Sequence, residues 1–208
     1  MAYALIVEGD VAEYPFDPAQ ARVRFPQVSF PAVPGDEALA SVGVLPVAER
    51  AQPNATAEQV VEEVTPTFSQ GKWRRTWLVR DRTADDLAAA KLAKRAAINA
   101  KRDAVAAGGA LTPKGMVDTN LASVVKINGA VTLANVMAAQ NQPVSIPWTM
   151  ADNSTVLHDG TELTVMGVAV AQFAAAVHAH ALALKIAVDA AQTFTDLSAI
   201  DIETGWPT

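Results

Sequence analysis

The residues able to do chemistry in this 208-residue sequence are few, and their spacing keeps them apart. Of its three histidines, His178 and His180 stand two positions apart. On a helix that spacing points the rings about 200° away from one another, whereas a helical zinc pair needs i, i+4. One is therefore expected at a core edge and the other in solvent. His158, beside Asp159, reads as a polar hairpin-tip residue near a helix start, with no third ligand close in sequence. The carboxylates Glu62-Glu63, Asp85-Asp86 and Asp201 with Glu203 sit on adjacent or nearly adjacent positions, which diverge on a strand or helix. Glycoside chemistry needs a pair that converges across a cleft. There is no Gly-x-Ser-x-Gly and no cysteine, which removes the nucleophile elbow, thiol nucleophiles and disulfide frameworks. Gly108-Gly109 follows a helical run instead of opening one, so it reads as a helix stop and not a phosphate loop. No catalytic residue, cofactor or metal is expected, and the sequence reads as that of a non-enzyme.

Charge narrows the partners. With 16 Lys+Arg against 22 Asp+Glu, the net charge is −6 and the pI about 5.0. A duplex-binding protein neutralises phosphates, and this chain has no basic surplus for that. Lys72-Trp73-Arg74-Arg75-Thr76-Trp77 does mix basic and aromatic residues, one requirement for binding single strands. It reads better as one strand of a small sheet, with Glu62 and Glu63 on the neighbouring strand pairing with its arginines. No nucleic acid is expected. The most apolar stretch, 165–191, is interrupted by Gln172, His178, His180, Lys185 and Asp189, so no membrane insertion is expected either. The opening residues lack a basic region and a signal cleavage site, and synthesis in a cytoplasm follows as the expectation.

The elements that would position these residues divide near residue 83. Residues 1–82 hold eight of the twelve prolines and eight of the twelve aromatics; alanine dominates the rest. In the first part Tyr3, Leu5 and Val7 alternate with Ala4, Ile6 and Glu8, the period of a half-buried strand, followed by a Gly9-Asp10 turn. Prolines at 15, 18, 26, 31 and 34 exclude any long central strand or helix there. A helical turn or two is expected over 36–41, a short strand over 44–47, and a hairpin over 59–80 turning at Ser69-Gln70-Gly71. In the second part helices are expected over 87–107, 121–139 and 162–193, with Asn128-Gly129 a weak point in the second. A hairpin is expected around 144–158. Leu163, Met166, Val170, Phe173, Val177, His180 and Leu184 recur at steps of 3 and 4, a packing seam that wants partner helices. The fold class is therefore α+β: a small antiparallel β domain over 1–82, then an Ala-rich, mainly helical domain over 83–208 of three helices with a β-hairpin insertion.

Several short motifs, in order, carry a resemblance. They are the strand and turn over 3–9, Tyr14-Pro15-Phe16, Pro26-Gln27-Val28-Ser29-Phe30-Pro31, the stretch 39–44 with Pro46-Val47, and Gly71-Lys72-Trp73 with Trp77. This first part resembles the opening of bacteriophage tail-fibre and baseplate-type proteins. The second part is similar to an uncharacterised domain found at the ends of phage tail proteins. It matches through Lys94-Arg95, Arg102, Asp118-Thr119, the run Trp148-Thr149-Met150-Ala151-Asp152-Asn153, Glu162-Leu163 and Gly205-Trp206-Pro207. The resemblance implies a structural role in a virion tail, as a short tail fibre, fibre adaptor or baseplate-peripheral subunit, because no long repetitive shaft is present. Its partners would be other tail or baseplate subunits, further copies of itself in a homo-oligomer (a trimer on the precedent of fibres, served by the seam 163–184), and a host surface receptor. Aromatics supply most interface energy when buried, which makes Tyr14, Phe16, Trp73, Trp77 and Trp206 the candidate interface residues. Trp206 is expected to pack onto the hairpin at Trp148 or to face a partner. An alternative is a tail-fibre assembly chaperone absent from the finished particle; a third is an enzyme acting on envelope polysaccharide at the tail tip.

Overall fold

Glu8 and Gly9 both adopt left-handed backbone angles, φ 54° and 94°, the geometry of a two-residue turn whose twist matches its strands. They join β1 (Ala2–Val7) to β2 (Asp10–Glu13), one residue earlier than the Gly9-Asp10 turn expected. The computed structural model describes all 208 residues and divides into two compact units, Met1–Thr83 and Ala84–Thr208.

In the first unit, short helices α1 (Ala21–Arg24) and α2 (Asp36–Ala40) precede β3 (Val44–Ala48), β4 (Gln59–Ser69) and β5 (Lys72–Asp81). The five strands form one sheet in the order β2-β1-β3-β5-β4. Three of its pairings are antiparallel, as expected. The fourth, β3 with β5 through Val47↔Trp73 and Ala48↔Arg74, is parallel. The reason lies in β4. Pro66 lacks an N–H and falls in the register shift between Val64 and Thr67, so β4 suits an edge. With β4 outermost, β5 lies beside β3 and runs in the same direction. Gln70 and Gly71, φ 50° and 75°, close the β4–β5 hairpin. The core gathers Leu5, Phe16, Ala21, Phe30, Leu39 and Val44, with Tyr3 and Phe25 at its edge. The proline-rich segment between β2 and β3 thus lays its aromatics on the sheet without forming a long element. Gly43, φ 82°, is required where it stands: a Cβ there would lie 2.6 Å from the Ile6 carbonyl oxygen.

The second unit is built on one long helix. Its elements are α3 (Ala84–Ala106), a small hairpin of β6 (Ala110–Thr112) and β7 (Gly115–Val117), α4 (Leu121–Ala139), a hairpin of β8 (Ser145–Thr149) and β9 (Thr155–Asp159), α5 (Gly160–Ala190) and α6 (Phe194–Ala199). The β6–β7 hairpin was not foreseen; three-residue strands carry too little alternation to register. Asn128-Gly129 does not interrupt α4. Side chains fix the starts: Asn120 caps α4, while Asp159 with Glu162 and Thr193 with Asp196 form capping boxes on α5 and α6. The expected third helix ends three residues early, at Ala190, and the chain restarts as α6.

Two cores share α5. Leu163, Met166 and Val170 meet Ile127, Ala130 and Ala134 of α4, together with Ala110, Val117 and Met150. Ala181 and Val188 meet Ile98 of α3, with Leu197 of α6 and the half-buried Leu87, Ile200, Ile202 and Trp206. The 163–184 stripe therefore finds its partner helices within the same chain, α4 along its first half and α3 along its second. The stripe on which the trimer expectation rests is thus packed within one chain. At Gly167 the α4–α5 approach leaves no room for a side chain, since a Cβ would lie 2.6 Å from Val131 Cγ2.

Candidate protein interface

Phe16 leaves the candidate set. It is 3 % exposed, and its ring centroid lies 6.4 Å from that of Phe25 in the core of the first unit. The sequence offers Phe16 as a candidate only because it is aromatic, and an aromatic ring anchors a core as readily as an interface; β2 ends at Glu13, and the chain beyond it lays this ring in the core. Burial of this ring stabilises the sheet by roughly 2 kcal/mol instead of serving a partner.

Tyr14, Trp73 and Trp77 remain half-buried around β5. The Tyr14 hydroxyl donates to Glu63 of β4, and Arg75 of β5 lies 3.2 Å from both Glu63 and Glu49. Burial, then the Glu63 hydrogen bond and charge, push the Tyr14 hydroxyl up to about 12, with Arg75 pulling weakly the other way. Beside this network lies a surface hollow of about 540 Å³ bordered by Tyr14, Pro15, Glu63 and Arg75. Trp77 donates its Nε1 to the Arg50 carbonyl at 3.0 Å. At the hairpin tip Trp73 meets Phe68 edge-on, centroids 5.5 Å apart, and Phe68 itself is largely in solvent. Arg80 pairs with Glu62 at 2.6 Å. Glu63 pairs with Arg75 of the basic-aromatic strand, as the sequence predicts; Glu62 instead takes Arg80, beyond that motif, and Arg74 donates to the Gln70 side-chain oxygen at 2.9 Å.

Trp206 packs neither on Trp148 nor outward. Its ring stands edge-on to His180, centroids 4.6 Å apart, and its Nε1 donates to the Ile202 carbonyl at 2.9 Å. Trp148 belongs to the other core. His178 is exposed and His180 half-buried, the division their spacing predicts. His158 differs from expectation: it is 1 % exposed, inside β9 and not at a tip, with Nδ1 3.0 Å from the Val156 carbonyl. The hairpin turns earlier, at 150–154, so position 158 falls on the inward face. A hollow of about 380 Å³ lies beside it, with Lys114 reaching the Leu157 carbonyl at 2.8 Å and Glu162 at 2.6 Å. No group of three His, Asp or Glu side chains gathers in metal-holding geometry.

What the sequence reading missed is the outer surface of the second unit. Leu121, Val125, Leu133 and Val136 of α4, and Val165, Val168, Leu182 and Ile186 of α5, all stand in solvent. Both helices are long and apolar enough to cross a membrane by length and composition alone. A helix apolar on all sides is ordinarily covered on all sides. The signal was present in the sequence as a second 3–4 stripe on 162–193, two residues out of phase with the first.

Fold and surface together define an α+β protein whose notable sites are ion pairs, aromatic contacts and apolar faces. Residues 89–204, more than half of the chain, match the family described as a domain of unknown function (DUF4376), and the chain belongs to that family. No curated protein and no solved structure matches it.

Proposed function

We propose that this chain is a structural component of a bacteriophage tail, a short tail fibre, fibre adaptor or baseplate-peripheral subunit, and that it acts through protein–protein contacts without catalysis. The observation that carries this reading is the apolar outer surface of α4 and α5. Exposed apolar side chains gathered on a folded chain mark contact surfaces, and each of these two helices exposes four large ones. The resemblance of both parts of the sequence to phage tail proteins supplies the setting. The half-buried aromatics Tyr14, Trp73 and Trp77 add anchors in the first unit, where the exposed Phe68 at the tip extends the apolar surface. In this reading the protein works in the virion after synthesis in the host cytoplasm, its partners are tail subunits and further copies of itself, and it binds neither nucleic acid nor membrane.

Quantitative mass spectrometry of purified particles tests the proposal. Stoichiometric copies in the tail support it. Absence from particles whose assembly nevertheless requires the chain would replace it with the assembly-chaperone reading.

A further inference from the structure

The outward face of α5 carries a complete heptad stripe: Val165, Val168, Gln172, Ala175, Ala179, Leu182 and Ile186, at steps of 3, 4, 3, 4, 3 and 4. All seven are exposed, Val168 by 50 %, Leu182 by 60 % and Ile186 by 61 %. This stripe is the inner seam displaced by two residues, which places it about 200° around the helix. The inner seam is filled by α4 and α3. We infer that the outer seam is filled by the α5 helices of further copies of this chain, packed parallel and in register as a coiled coil.

Four observations select that occupant. First, the stripe runs over three heptads, about 32 Å of helix, the length at which a 3–4 repeat specifies a supercoiled partner with the same repeat. Second, no Asp, Glu, Lys or Arg occurs from 163 to 184. In a parallel homotypic seam each residue faces its own counterpart, so any charge there would meet its like. The chain carries −6 overall, yet the exposed face of this segment is as free of charge as its buried one. Third, in heptad terms Val165, Gln172, Ala179 and Ile186 take the a positions, and Val168, Ala175 and Leu182 the d positions. Gln172 is the single polar residue of the stripe. Its amide both donates and accepts, so two copies satisfy one another when they lie in register, and lose that pairing when shifted. Fourth, α3 packs against the second half of α5 and carries Asp85, Asp86, Lys91, Lys94, Arg95, Lys101, Arg102 and Asp103. Taking α5 into a bilayer would take those charges with it, which disfavours lipid as the cover. Because α5 is already held helical by its own chain, pairing need not supply the cost of helix nucleation.

This inference names a partner for the surface on which the tail reading rests, yet it stands apart from the virion. A monodisperse solution oligomer would survive absence from particles, and a tail subunit could be found that is a monomer. The test uses the full chain. Light scattering is expected to give at least twice the 21.8 kDa mass. Leu182→Glu with Ile186→Glu, both at exposed positions, is expected to weaken association by about a hundredfold or more through facing like charges, with the circular dichroism of the monomer unchanged. The chain has no cysteine, so Val168→Cys reports orientation cleanly. Oxidation is expected to cross-link it to its own counterpart, which an antiparallel pair would hold out of reach. A monomeric wild type, an oligomer indifferent to the double glutamate variant, or an oligomer in which Val168→Cys fails to cross-link would each overturn the inference. So would a monomer that binds phosphatidylcholine–phosphatidylglycerol vesicles and loses that binding in the double variant.

Discussion

Replacing Trp206 with alanine asks whether the segment after α6 is fastened to the helices or left free for a partner. In the structure the indole meets His180 edge-on at 4.6 Å and 71°, donates to the Ile202 carbonyl at 2.9 Å, and lies against the cluster of Ile98, Ala181, Val188 and Leu197. A fully buried Trp→Ala change costs about 3–5 kcal/mol. Trp206 is half-buried, which brings the area share to roughly 2 kcal/mol. The edge-on pair adds about 0.5–1.5 kcal/mol and the indole hydrogen bond about 1 kcal/mol, but the exposed carbonyl recovers water and part of the ring contact is already in the area share. The net expectation is a loss of about 2–3 kcal/mol. With a slope of roughly 2 kcal/mol per molar urea, the unfolding midpoint followed by circular dichroism at 222 nm drops by about 1 M while the slope holds. Leu197→Ala, in the same cluster and buried, gives the scale at about 2–4 kcal/mol. A loss below about 0.5 kcal/mol for Trp206→Ala, with the slope unchanged, would refute the clamp and return the ring to the pool of interface residues.

Other perturbations follow from single contacts. Gly43→Ala combines φ 82° with a Cβ 2.6 Å from the Ile6 carbonyl oxygen, and a destabilisation of about 2–4 kcal/mol is expected in urea unfolding. Gly167→Ala drives a Cβ into Val131 Cγ2 and is expected to cost about 1–3 kcal/mol, with Val131→Ala in the same chain recovering part of it; an additive double mutant would count against the contact. The hydrogen bond from Lys114, then the backbone N–H of Asp159, hold the Glu162 carboxyl below its ordinary value of 4.5. A depressed carboxylate stabilises the fold above its unfolded pKa, and that contribution is lost as pH falls through the folded value. The urea midpoint is therefore expected to decline below about pH 4.5, less steeply in Glu162→Gln. The Tyr14 hydroxyl is raised to about 12 and Tyr3 is raised by its hydrogen bond to Asp36, so absorbance at 295 nm is expected to show less phenolate at pH 10 than two free tyrosines would; Glu63→Gln should bring one of the two tyrosines down.

How much of this was legible in the sequence depends on the range of the forces involved. The bounds of α4, the end of α3 after Ala106 and the β4–β5 turn could be read because they rest on neighbours in the chain. Helix formers, Gly108-Gly109 and a two-residue turn act over a few positions. The Glu63–Arg75 pair was legible because the two strands are neighbours across one short turn; that Glu62 takes Arg80 instead of a residue of 72–77 depends on a register in which it faces Leu78 and reaches diagonally. The parallel β3–β5 contact could not be read, since it follows from which strand takes the edge. Position 158 was misplaced because the bounds of β9 decide which way its side chain faces, and strand bounds are the least local part of a strand; Phe16 was misplaced because residue type alone does not separate a core aromatic from an interface one.

The sequence by itself determined the α+β class, the change of grammar near residue 83, the helices of the second unit and the absence of cysteine chemistry. Those are properties of composition and short-range periodicity, which a linear chain carries in full. Only the tertiary structure decided that the partners of the 163–184 stripe on α5 come from the same chain, and that the second stripe is left uncovered. The spacing is the same; the bulkier side chains of 163–184, Met166 and Phe173 among them, mark that stripe as the better seam, but residue size alone does not say which helices cover it or what becomes of the other. Packing does: α3 and α4 can lie on one side of a helix or the other, and by filling the 163–184 side they left Val165, Val168, Leu182 and Ile186 facing out.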